Sequence, residues 1–305
     1  MAILRPVVRV AAVVVTYRPG AHDLKGVRAL APQVSHVIVV DNGSGEESRP
    51  FLQALVASQV DMLTLEGNLG IGAAQNAGIA RARALGATHV LLMDQDSVPE
   101  AGMVARLLEA ETTLLARGAK VGAVGPVYHD PRVGKSWPFY RMSSLGIRGH
   151  VGNEEHLVPC DLLISSGTLV RMCVLDDVGG MNAEYFLEHV DTEWSLRTRA
   201  LGYGLFGASK ARMLHTLGDG TASVPLTGRR VQVYQAYRHY YLFRNAVLLG
   251  RKPYAFLPWK LHEAQRLLKR LLYFSLMVPP RGKRLRYMLL GLWDGVRGRT
   301  GPLQR

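Results

Sequence analysis

Short apolar runs alternate with amphipathic segments over residues 10–93 of the chain. The apolar runs predict four strands, at Val10–Val15, Val37–Val40, Met62–Leu65 and His89–Met93. The segments between them predict helices over residues 22–30 and 50–58, and an alanine-rich helix that ends near Leu85. Continuous apolar strands separated by helices are typical of parallel strands that are covered on both faces. The pattern therefore predicts an α/β fold with a Rossmann-like, mostly parallel central sheet flanked by helices.

The second half of the chain is less regular. It predicts strands at Gly122–Val127 and Leu162–Val170, a loop-like stretch from Tyr128 to Pro159, a helix at Asp191–Leu201 and short strands at Tyr203–Gly207 and Arg212–Leu214. After Pro225 the pattern predicts helices alone, at Val231–Leu249, Pro258–Met277 and Lys283–Val296. We therefore expect a C-terminal helical extension on the α/β domain.

Charge is distributed unevenly between these two parts. The net charge of +13 divides into −2 for residues 1–228 (20 Lys and Arg against 22 acids) and +15 for residues 229–305 (17 against two). We therefore predict a nearly neutral domain over 1–228 and a basic helical region over 229–305. A nucleic-acid surface along the whole chain would not divide in this way, so we expect no nucleic-acid partner. Arginine outnumbers lysine 29 to 8, and a bias in genome composition would also produce such an excess.

Cysteine content and hydropathy bear on the compartment. The two cysteines exclude a disulfide scaffold and a multi-cysteine zinc site, and they favour a reducing compartment. Arg9 interrupts the N-terminal apolar run and no small-residue cleavage site follows, so we expect a strand there rather than a signal peptide. No segment reaches about 18 uncharged apolar residues, so we predict no transmembrane helix and a cytoplasmic location.

Carboxylates follow two of the predicted parallel strands. Asp41 ends the second strand, and Asp94 and Asp96 follow the fourth. Ligands of open parallel sheets bind beyond the carboxyl ends of the strands. An Asp-x-Asp pair at that edge is suited to a divalent cation that holds a diphosphate, with Mg²⁺ or Mn²⁺ as the hard metals of choice. The alternative is that each aspartate is a turn or N-cap residue, with residues 97–100 starting a helix.

A glycine-rich segment spans Gly70–Gly78. It would cradle phosphates at a helix N-terminus or form part of a nicotinamide-cofactor fingerprint. The fingerprint interpretation is weakened because the segment follows the third strand, while the first strand ends without Gly-x-Gly. Close packing of a helix on the sheet explains the glycines equally well.

Three further residues stand at the predicted ends of elements or on the basic helices. Asp191 begins a helix, where it is either an N-cap or a general base held at a fixed position. His215 ends the last short strand and is either a metal ligand or an ordinary histidine. Arg244 follows a run of aromatic residues and would hold a phosphate through a charge-assisted pair. Ser165–Thr168 would lie on the acceptor side or in an ordinary strand.

The order of these motifs resembles family 2 glycosyltransferases over roughly residues 10–215. The segments VVVTYRPG, VIVVDNGS, GNLGIGAAQNAGI, LLMDQDS and FLEHVDTEWSLR are most similar to the bacterial rhamnosyltransferase branch. The resemblance implies a GT-A fold whose catalytic domain, residues 1–228, binds a nucleotide sugar. It also implies an inverting, metal-dependent enzyme that uses dTDP-L-rhamnose as the donor.

The resemblance also implies roles for individual positions. It implies nucleotide-sugar binding by Thr16, Tyr17, Arg18, Asp41, Asn68, Gly70, Asn76, Asp94 and Arg244, with Asn245 beside Arg244 at the diphosphate. It implies metal binding by Asp96 and His215, with Mg²⁺ or Mn²⁺ as the ion, and catalysis by Asp191 as the base. The family pattern Glu-Asp-x-Asp reads here Val190, Asp191, Thr192, Glu193, so two of its positions depart from the broad family.

Partners and alternatives follow from the same motifs. The resemblance implies a saccharide or a polyprenyl-diphosphate-linked glycan as the acceptor, in the synthesis of cell-surface polysaccharide or glycolipid. The basic region would bind an anionic membrane at the inner face of the cell, pack on the catalytic domain, or contact a second copy in a homo-oligomer. The alternatives are another nucleotide-sugar donor or an NAD(P)-dependent oxidoreductase, which would depend on Gly70–Gly72 alone.

Overall fold

The fold is seen in a computed structural model. It describes residues 7–20, 24–56, 60–132, 134–143, 146–150, 157–216, 220–223 and 230–304. Within these residues the strands are β1 Val10–Thr16, β2 His36–Asp41, β3 Asp61–Thr64, β4 His89–Asp94, β5 Val98–Pro99, β6 Val121–Asp130, β7 Lys135–Ser136, β8 Phe139–Ser143, β9 Gly146–His150, β10 Leu157–Cys160, β11 Leu169–Arg171, β12 Gly204–Leu214, β13 Gly220–Ser223 and β14 Arg230–Val233. The helices are α1 Leu24–Leu30, α2 Arg49–Val56, α3 Ile71–Ala84, α4 Met103–Ala116, α5 Met172–Val178, α6 Val190–Ala200, α7 Arg238–Gly250, α8 Leu257–Leu276 and α9 Arg281–Val296.

The central sheet has the strand order β10-β12-β6-β11-β4-β1-β2-β3. Strands β4, β1, β2 and β3 are parallel, as are β6 and β12, whereas β11 is antiparallel to both β4 and β6. Strands β4 and β12 therefore point the same way, and their carboxyl ends meet at one edge of the sheet. This confirms the predicted α/β fold with a mostly parallel sheet.

Successive residues of β1 face opposite sides of the sheet and enter different cores. Ala11, Val13 and Val15 pack on one face and Val10, Ala12 and Val14 on the other, and all six are almost completely buried. Burial on both faces is the reason that this strand is continuously apolar. The same pattern explains why β2 and β4 were readable from the sequence.

Several elements differ from the sequence prediction. The stretch from Tyr128 to Pro159 contains strands β7 to β10 rather than a loop, and β8 pairs with β9 in a hairpin. The strand predicted at Leu162–Val170 is limited to Leu169–Arg171. The two short strands predicted near Tyr203 and Arg212 are one irregular strand, β12. Residues 97–100 contain β5 rather than a helix start, since α4 begins at Met103.

The C-terminal helices share the core of the α/β domain. Leu248, Leu249 and Trp259 pack in the same cluster as the β1 side chains, while Phe243 and Phe274 belong to a smaller cluster between the helices. The first helix begins at Arg238 rather than Val231, because residues 230–233 pair with β13 as a strand. Within the described residues, every helix is too short or too polar to cross a lipid bilayer.

Candidate active site

Two strand ends bring three metal-ligating side chains together. Asp94 is the last residue of β4 and Asp96 follows it, in a tight turn closed by the Ser97 amide donating to the Asp94 carbonyl at 3.2 Å. His215 follows β12, which pairs with β5 next to that turn. One ligand atom each from Asp94, Asp96 and His215 lies within 4.8 Å of the others. Two carboxylates and an imidazole form a donor set that fits Mn²⁺ or Mg²⁺, with a diphosphate completing the shell.

Two serines to which the sequence analysis gave no role at the metal site orient this cluster. The Ser97 hydroxyl lies 2.7 Å from Nδ1 of His215 and 2.7 Å from the hydroxyl of Ser166. The Ser166 hydroxyl also accepts a hydrogen bond from the Asp94 amide at 3.1 Å. All of Ser97, Ser166 and His215 are buried. Ser97 and Ser166 therefore support the candidate metal ligands from behind, and such outer contacts fix the orientation of a histidine that binds a metal.

The three ligating groups titrate as a coupled set. Burial raises the pKa of Asp94 to about 6, against the opposing charge of His215 and with the help of Asp96 and Asp191. For Asp96, burial is outweighed by hydrogen bonding to His215, so its pKa lies below the usual value. For His215, burial is outweighed by the same hydrogen bond and by the charge of Asp94, so its pKa is raised. A divalent cation bound by these three groups would compete with the protons that they take up.

Asp191 lies in the first turn of α6 and lines a cavity of about 650 Å³ that Asp94 and His215 also line. Its Oδ1 accepts a hydrogen bond from the Thr192 amide at 2.6 Å. Burial raises the pKa of Asp191, although that hydrogen bond and the charge of His189 act in the opposite direction. The N-cap of α6 is His189 rather than Asp191. A carboxylate of raised pKa in a cavity is suited to general-base catalysis.

A strained turn leads into α6. Phe186, Glu188 and His189 have φ of 63°, 54° and 62°, in the left-handed region that residues other than glycine rarely adopt. The side-chain amide of Asn245 donates to the carbonyls of Tyr185, Leu187 and Glu188 at 2.9, 2.5 and 2.9 Å. This support keeps the strained backbone in place, and strain of this kind clusters at functional sites.

Arg244 is also part of this support. Its guanidinium is completely buried and donates to the carbonyls of Tyr185 and Gly301 and to the Asn245 side chain. Because its nitrogens are engaged by the chain itself, diphosphate binding by Arg244 does not fit the structure. The arginines that line the cavity are Arg238, Arg266 and Arg270, and Arg238 donates to Glu188 at 2.7 Å.

The residues expected at the nucleoside lie together at the ends of β1 and β2. Asp41 is buried, and its carboxylate accepts hydrogen bonds from Thr16 and from both the amide and the hydroxyl of Ser44. The Ser44 hydroxyl in turn accepts from the Arg18 amide, and the Tyr17 amide donates to the side chain of Gln95. Asp41 therefore joins the two loops, while the Tyr17 and Arg18 side chains are exposed.

The glycine-rich segment packs rather than cradles a ligand. The Ile71 amide at the N-terminus of α3 donates to the Phe186 carbonyl, and a Cβ on Gly70 would lie 2.5 Å from that oxygen. A Cβ on Gly78 would lie 2.2 Å from a methyl group of Val13 in the sheet. Asn76 exchanges two hydrogen bonds with the backbone of Met181, so its predicted contact with nucleotide does not fit. Asn68 caps the loop through Gly70 and Asn42.

One wall of the cavity comes from α8, which sequence reasoning treated only as a basic, amphipathic helix. Its cavity face carries Trp259, Glu263, Arg266 and Arg270. The spacing of 4, 3 and 4 residues is typical of one face of a helix. The spacing in the sequence indicates that these four residues share one face of a helix. It does not indicate that this face lines the cavity.

Comparison with known proteins places this geometry in a family. Residues 15–161 match the model described as Glycosyl transferase family 2. The chain is also 31% identical to the dTDP-rhamnosyl transferase RfbF of Shigella flexneri over 296 residues, which cover 95% of this chain and 96% of that protein. The chain belongs to glycosyltransferase family 2. The resemblance inferred from the motifs is thus confirmed, and the protein is a glycosyltransferase with rhamnosyltransferase relatives.

Other relatives of this glycosyltransferase are more distant. It is 26% identical to an N-acetylglucosaminyl-diphospho-decaprenol L-rhamnosyltransferase of Mycobacterium tuberculosis over 244 residues, or 70% of this chain and 78% of that protein. Among solved structures, GalNAc-T7 with UDP, GalNAc and Mn²⁺ aligns with a TM-score of 0.60 at 11% identity, covering 96% and 56% of the two chains. TarS 1–349 of S. aureus with UDP-GlcNAc aligns at 0.53 and 14%, covering 95% and 92%. These likenesses identify the predicted GT-A fold.

Proposed function

We propose that this glycosyltransferase is an inverting, metal-dependent rhamnosyltransferase. It moves L-rhamnose from dTDP-L-rhamnose to a hydroxyl of a saccharide or of a polyprenyl-diphosphate-linked glycan, in the synthesis of cell-surface polysaccharide or glycolipid. The observation that carries the proposal is a single cavity lined by Asp191, Asp94 and His215. The choice of donor rests on the relative named as a dTDP-rhamnosyl transferase.

Asp191 is the general base of the proposed reaction. Its carboxylate takes the proton of the acceptor hydroxyl as the hydroxyl oxygen bonds to the anomeric carbon. The bond between that carbon and the diphosphate oxygen breaks on the opposite face, and its electron pair leaves with dTDP. A single displacement inverts the anomeric configuration, so the enzyme needs no nucleophile of its own.

The leaving diphosphate faces Asp94, Asp96 and His215. Mg²⁺ or Mn²⁺ bound there would neutralise the charge that develops on dTDP. The domain of residues 1–228 carries a net charge of −2, so a cation is needed to hold an anionic leaving group. Thr16 and Asp41 hold together the loops in which we expect the nucleoside to bind, with Tyr17, Arg18 and Asn68 at its edge.

We also assign the basic region to peripheral binding at an anionic membrane. Five leucines on one side of α8 are more than half exposed, at positions 257, 261, 268, 272 and 276. Lys269, Arg281 and Lys283 are exposed nearby along the chain. Leucines bordered by cations are suited to the headgroup region of anionic lipid. The relative that acts on a decaprenol-linked glycan supports a lipid-linked acceptor.

Ligand-induced stabilisation tests the proposed function. dTDP with Mn²⁺ should raise the thermal unfolding temperature, because a ligand that binds the folded state stabilises it. NAD(P) should leave that temperature unchanged, since the glycines of the suspected fingerprint pack against protein. Stabilisation by NAD(P) but not by dTDP with Mn²⁺ would overturn the proposal and favour an oxidoreductase.

A further inference from the structure

Besides His189, whose Nε2 lies 3.4 Å from the Glu263 carboxylate, four polar side chains that line the cavity contain a buried nitrogen with no hydrogen-bond partner in the described part of the chain. These nitrogens are Nε1 of Trp137, Nε2 of Gln232, Nε of Arg266 and Nη1 of Arg270. Each of them is a hydrogen-bond donor, and no buried acceptor oxygen of the cavity lining lacks a partner within the described residues. A buried donor without an acceptor is costly, so such groups in a native protein call for a ligand or water. We refer to these four residues as the donor wall.

One arginine of this wall has no direct ion-pair partner among the described residues, although Glu188 and Glu263 attract it from farther away. Glu188 pairs with Arg238, and Glu263 pairs with Arg266 and lies 3.4 Å from His189. Arg270 has no carboxylate within salt-bridge distance among the described residues, and its guanidinium is repelled by Arg266. An arginine left over in a cavity of mixed charge favours a ligand that carries negative charge.

The two arginines of the donor wall lie near Glu188, whereas Trp137 packs on Tyr128, whose ring contacts His215. The electrostatic neighbours of Asp94 include Asp191 and Arg238. Those of Asp191 include Glu188, and those of Glu188 include Arg238 and Arg270. Neither Arg266 nor Arg270 is among the groups that act most strongly on Asp94, Asp96 or His215. A ligand at these arginines would therefore lie apart from the leaving diphosphate, where the acceptor is expected.

We propose that the donor wall binds a phosphate or diphosphate group of the acceptor, next to the sugar that receives rhamnose. This inference rests on the proposed function, because it assumes that the acceptor lies at Asp191. Arginine and amide donors bind phosphate oxygens through charge-assisted hydrogen bonds. Arg266 and Arg270 occupy the opposite face of α8 from the exposed leucines, so an acceptor phosphate in the cavity would lie close to the lipid that carries it.

Binding of farnesyl diphosphate, with farnesol as its uncharged counterpart, tests the donor wall. The measurement uses the full chain in EDTA, so that no metal at Asp94 and Asp96 holds the diphosphate. We expect the native protein to bind farnesyl diphosphate at least tenfold more tightly than farnesol. Arg270→Gln and Trp137→Phe should each weaken that binding, Arg270→Gln by about tenfold or more. Arg117→Gln, an exposed arginine at the end of α4, is the matched control and should change nothing.

Two results would overturn the donor wall. The first is equal affinity of the native protein for farnesyl diphosphate and farnesol, and the second is native affinity in both Arg270→Gln and Trp137→Phe. Stabilisation by dTDP with Mn²⁺ must persist in Arg270→Gln, because Arg270 does not touch the donor. If the native protein lacks that stabilisation while farnesyl diphosphate still binds through Arg270, the proposed function fails and the anion site remains.

Discussion

Asp191 combines the features that the proposed chemistry asks of one residue. It is fixed at the start of a helix, its Oδ1 is held by Thr192, and it shares a cavity with Asp94. The Thr192 contacts orient the carboxylate, while burial raises its pKa and so opposes its ionisation. A base in this state takes up a proton more readily than an exposed aspartate does.

Replacing Asp191 by asparagine should nearly abolish transfer. Asparagine keeps the size and the acceptor oxygen of the side chain but cannot take a proton, so the rate should fall by about 10²–10⁴-fold. Binding of dTDP with Mn²⁺, measured by thermal stabilisation, should be retained. Asp176→Asn is the control, because that aspartate forms an exposed ion pair with Arg83. Turnover near the native rate in Asp191→Asn would rule out this base.

The transfer rate should fall on the acid side at a higher pH than an ordinary aspartate would cause. The active form of Asp191 is the carboxylate, and burial raises its pKa above the usual value of about 3.9. Protonation therefore removes the base as the pH falls through the raised pKa. Single-turnover rates at saturating donor and Mn²⁺ measure this. A rate that stays constant down to about pH 4 would contradict the assignment.

At the residue scale, the sequence predicted well which polar residues lie at the ends of strands and helices. It predicted less well which groups each polar side chain contacts. Asp94, Asp96 and Asp191 stand where turns and helix starts were readable, and all three reach the cavity or its edge. Arg244 and Asn76 lie within helices, where the sequence does not reveal whether a polar side chain faces a ligand or a backbone carbonyl. The contacts of Ser166 and Arg270 in the site were not predicted, because their neighbours there come from distant segments.

The strained turn before α6 is the element on which the position of Asp191 depends. Asn245 of α7 holds three of its carbonyls, so two elements far apart in the chain cooperate. The strain at Phe186, Glu188 and His189 persists only while that support remains.

Asn245→Ala should lower both stability and rate. Removing the amide leaves buried carbonyls without donors, which lowers the free energy of unfolding by about 2–4 kcal/mol. At a temperature where the variant is folded, the transfer rate should still fall about tenfold or more, because small displacements of a catalytic group are costly. Asn182→Ala, which loses one exposed cap, serves as the control. A folded Asn245→Ala enzyme with the native rate would show that the turn does not need this support.

At the element scale, prediction succeeded where strands are buried on both faces. The hairpin of β8 and β9 was interpreted as a loop because its residues are polar, glycine-rich and half exposed. The strand β14 was assigned to a helix because Val231 and Val233 continue an apolar pattern into α7. Local pattern alone does not distinguish these cases, since pairing with another strand decides them.

At the scale of the whole molecule, α8 contacts both the cavity of the proposed reaction and the surface proposed to bind the membrane. One face of this helix lines the cavity with Trp259, Arg266 and Arg270, and the other exposes leucines. The charge division of the sequence shows only that residues 229–305 are basic. It did not reveal that Trp259 enters the core of the catalytic domain. The domain boundary at 228 stays a prediction, and it lies between the described segments 220–223 and 230–304.

Membrane binding should depend on the exposed leucines of α8. The native protein should float with vesicles that contain phosphatidylglycerol, and less so at high salt because the charge attraction is screened. The double variant Leu268→Glu with Leu272→Glu should lose flotation, since it places acids against an anionic surface. Leu201→Glu, at an exposed leucine at the C-terminal end of α6, is the control. Equal flotation of the double variant and the control would show that the exposed leucines of α8 do not bind the membrane.

The central claim is that one cavity holds a sugar nucleotide through a metal at Asp94, Asp96 and His215 for attack assisted by Asp191. A hydrolysis screen of sugar nucleotides tests it most directly, because it needs no acceptor and reads donor and metal together. The account predicts release of dTDP from dTDP-L-rhamnose with Mn²⁺ or Mg²⁺, loss of that release in EDTA, and loss in Asp96→Ala. Equal hydrolysis in EDTA, or cleavage of a different sugar nucleotide in preference to dTDP-L-rhamnose, would contradict it.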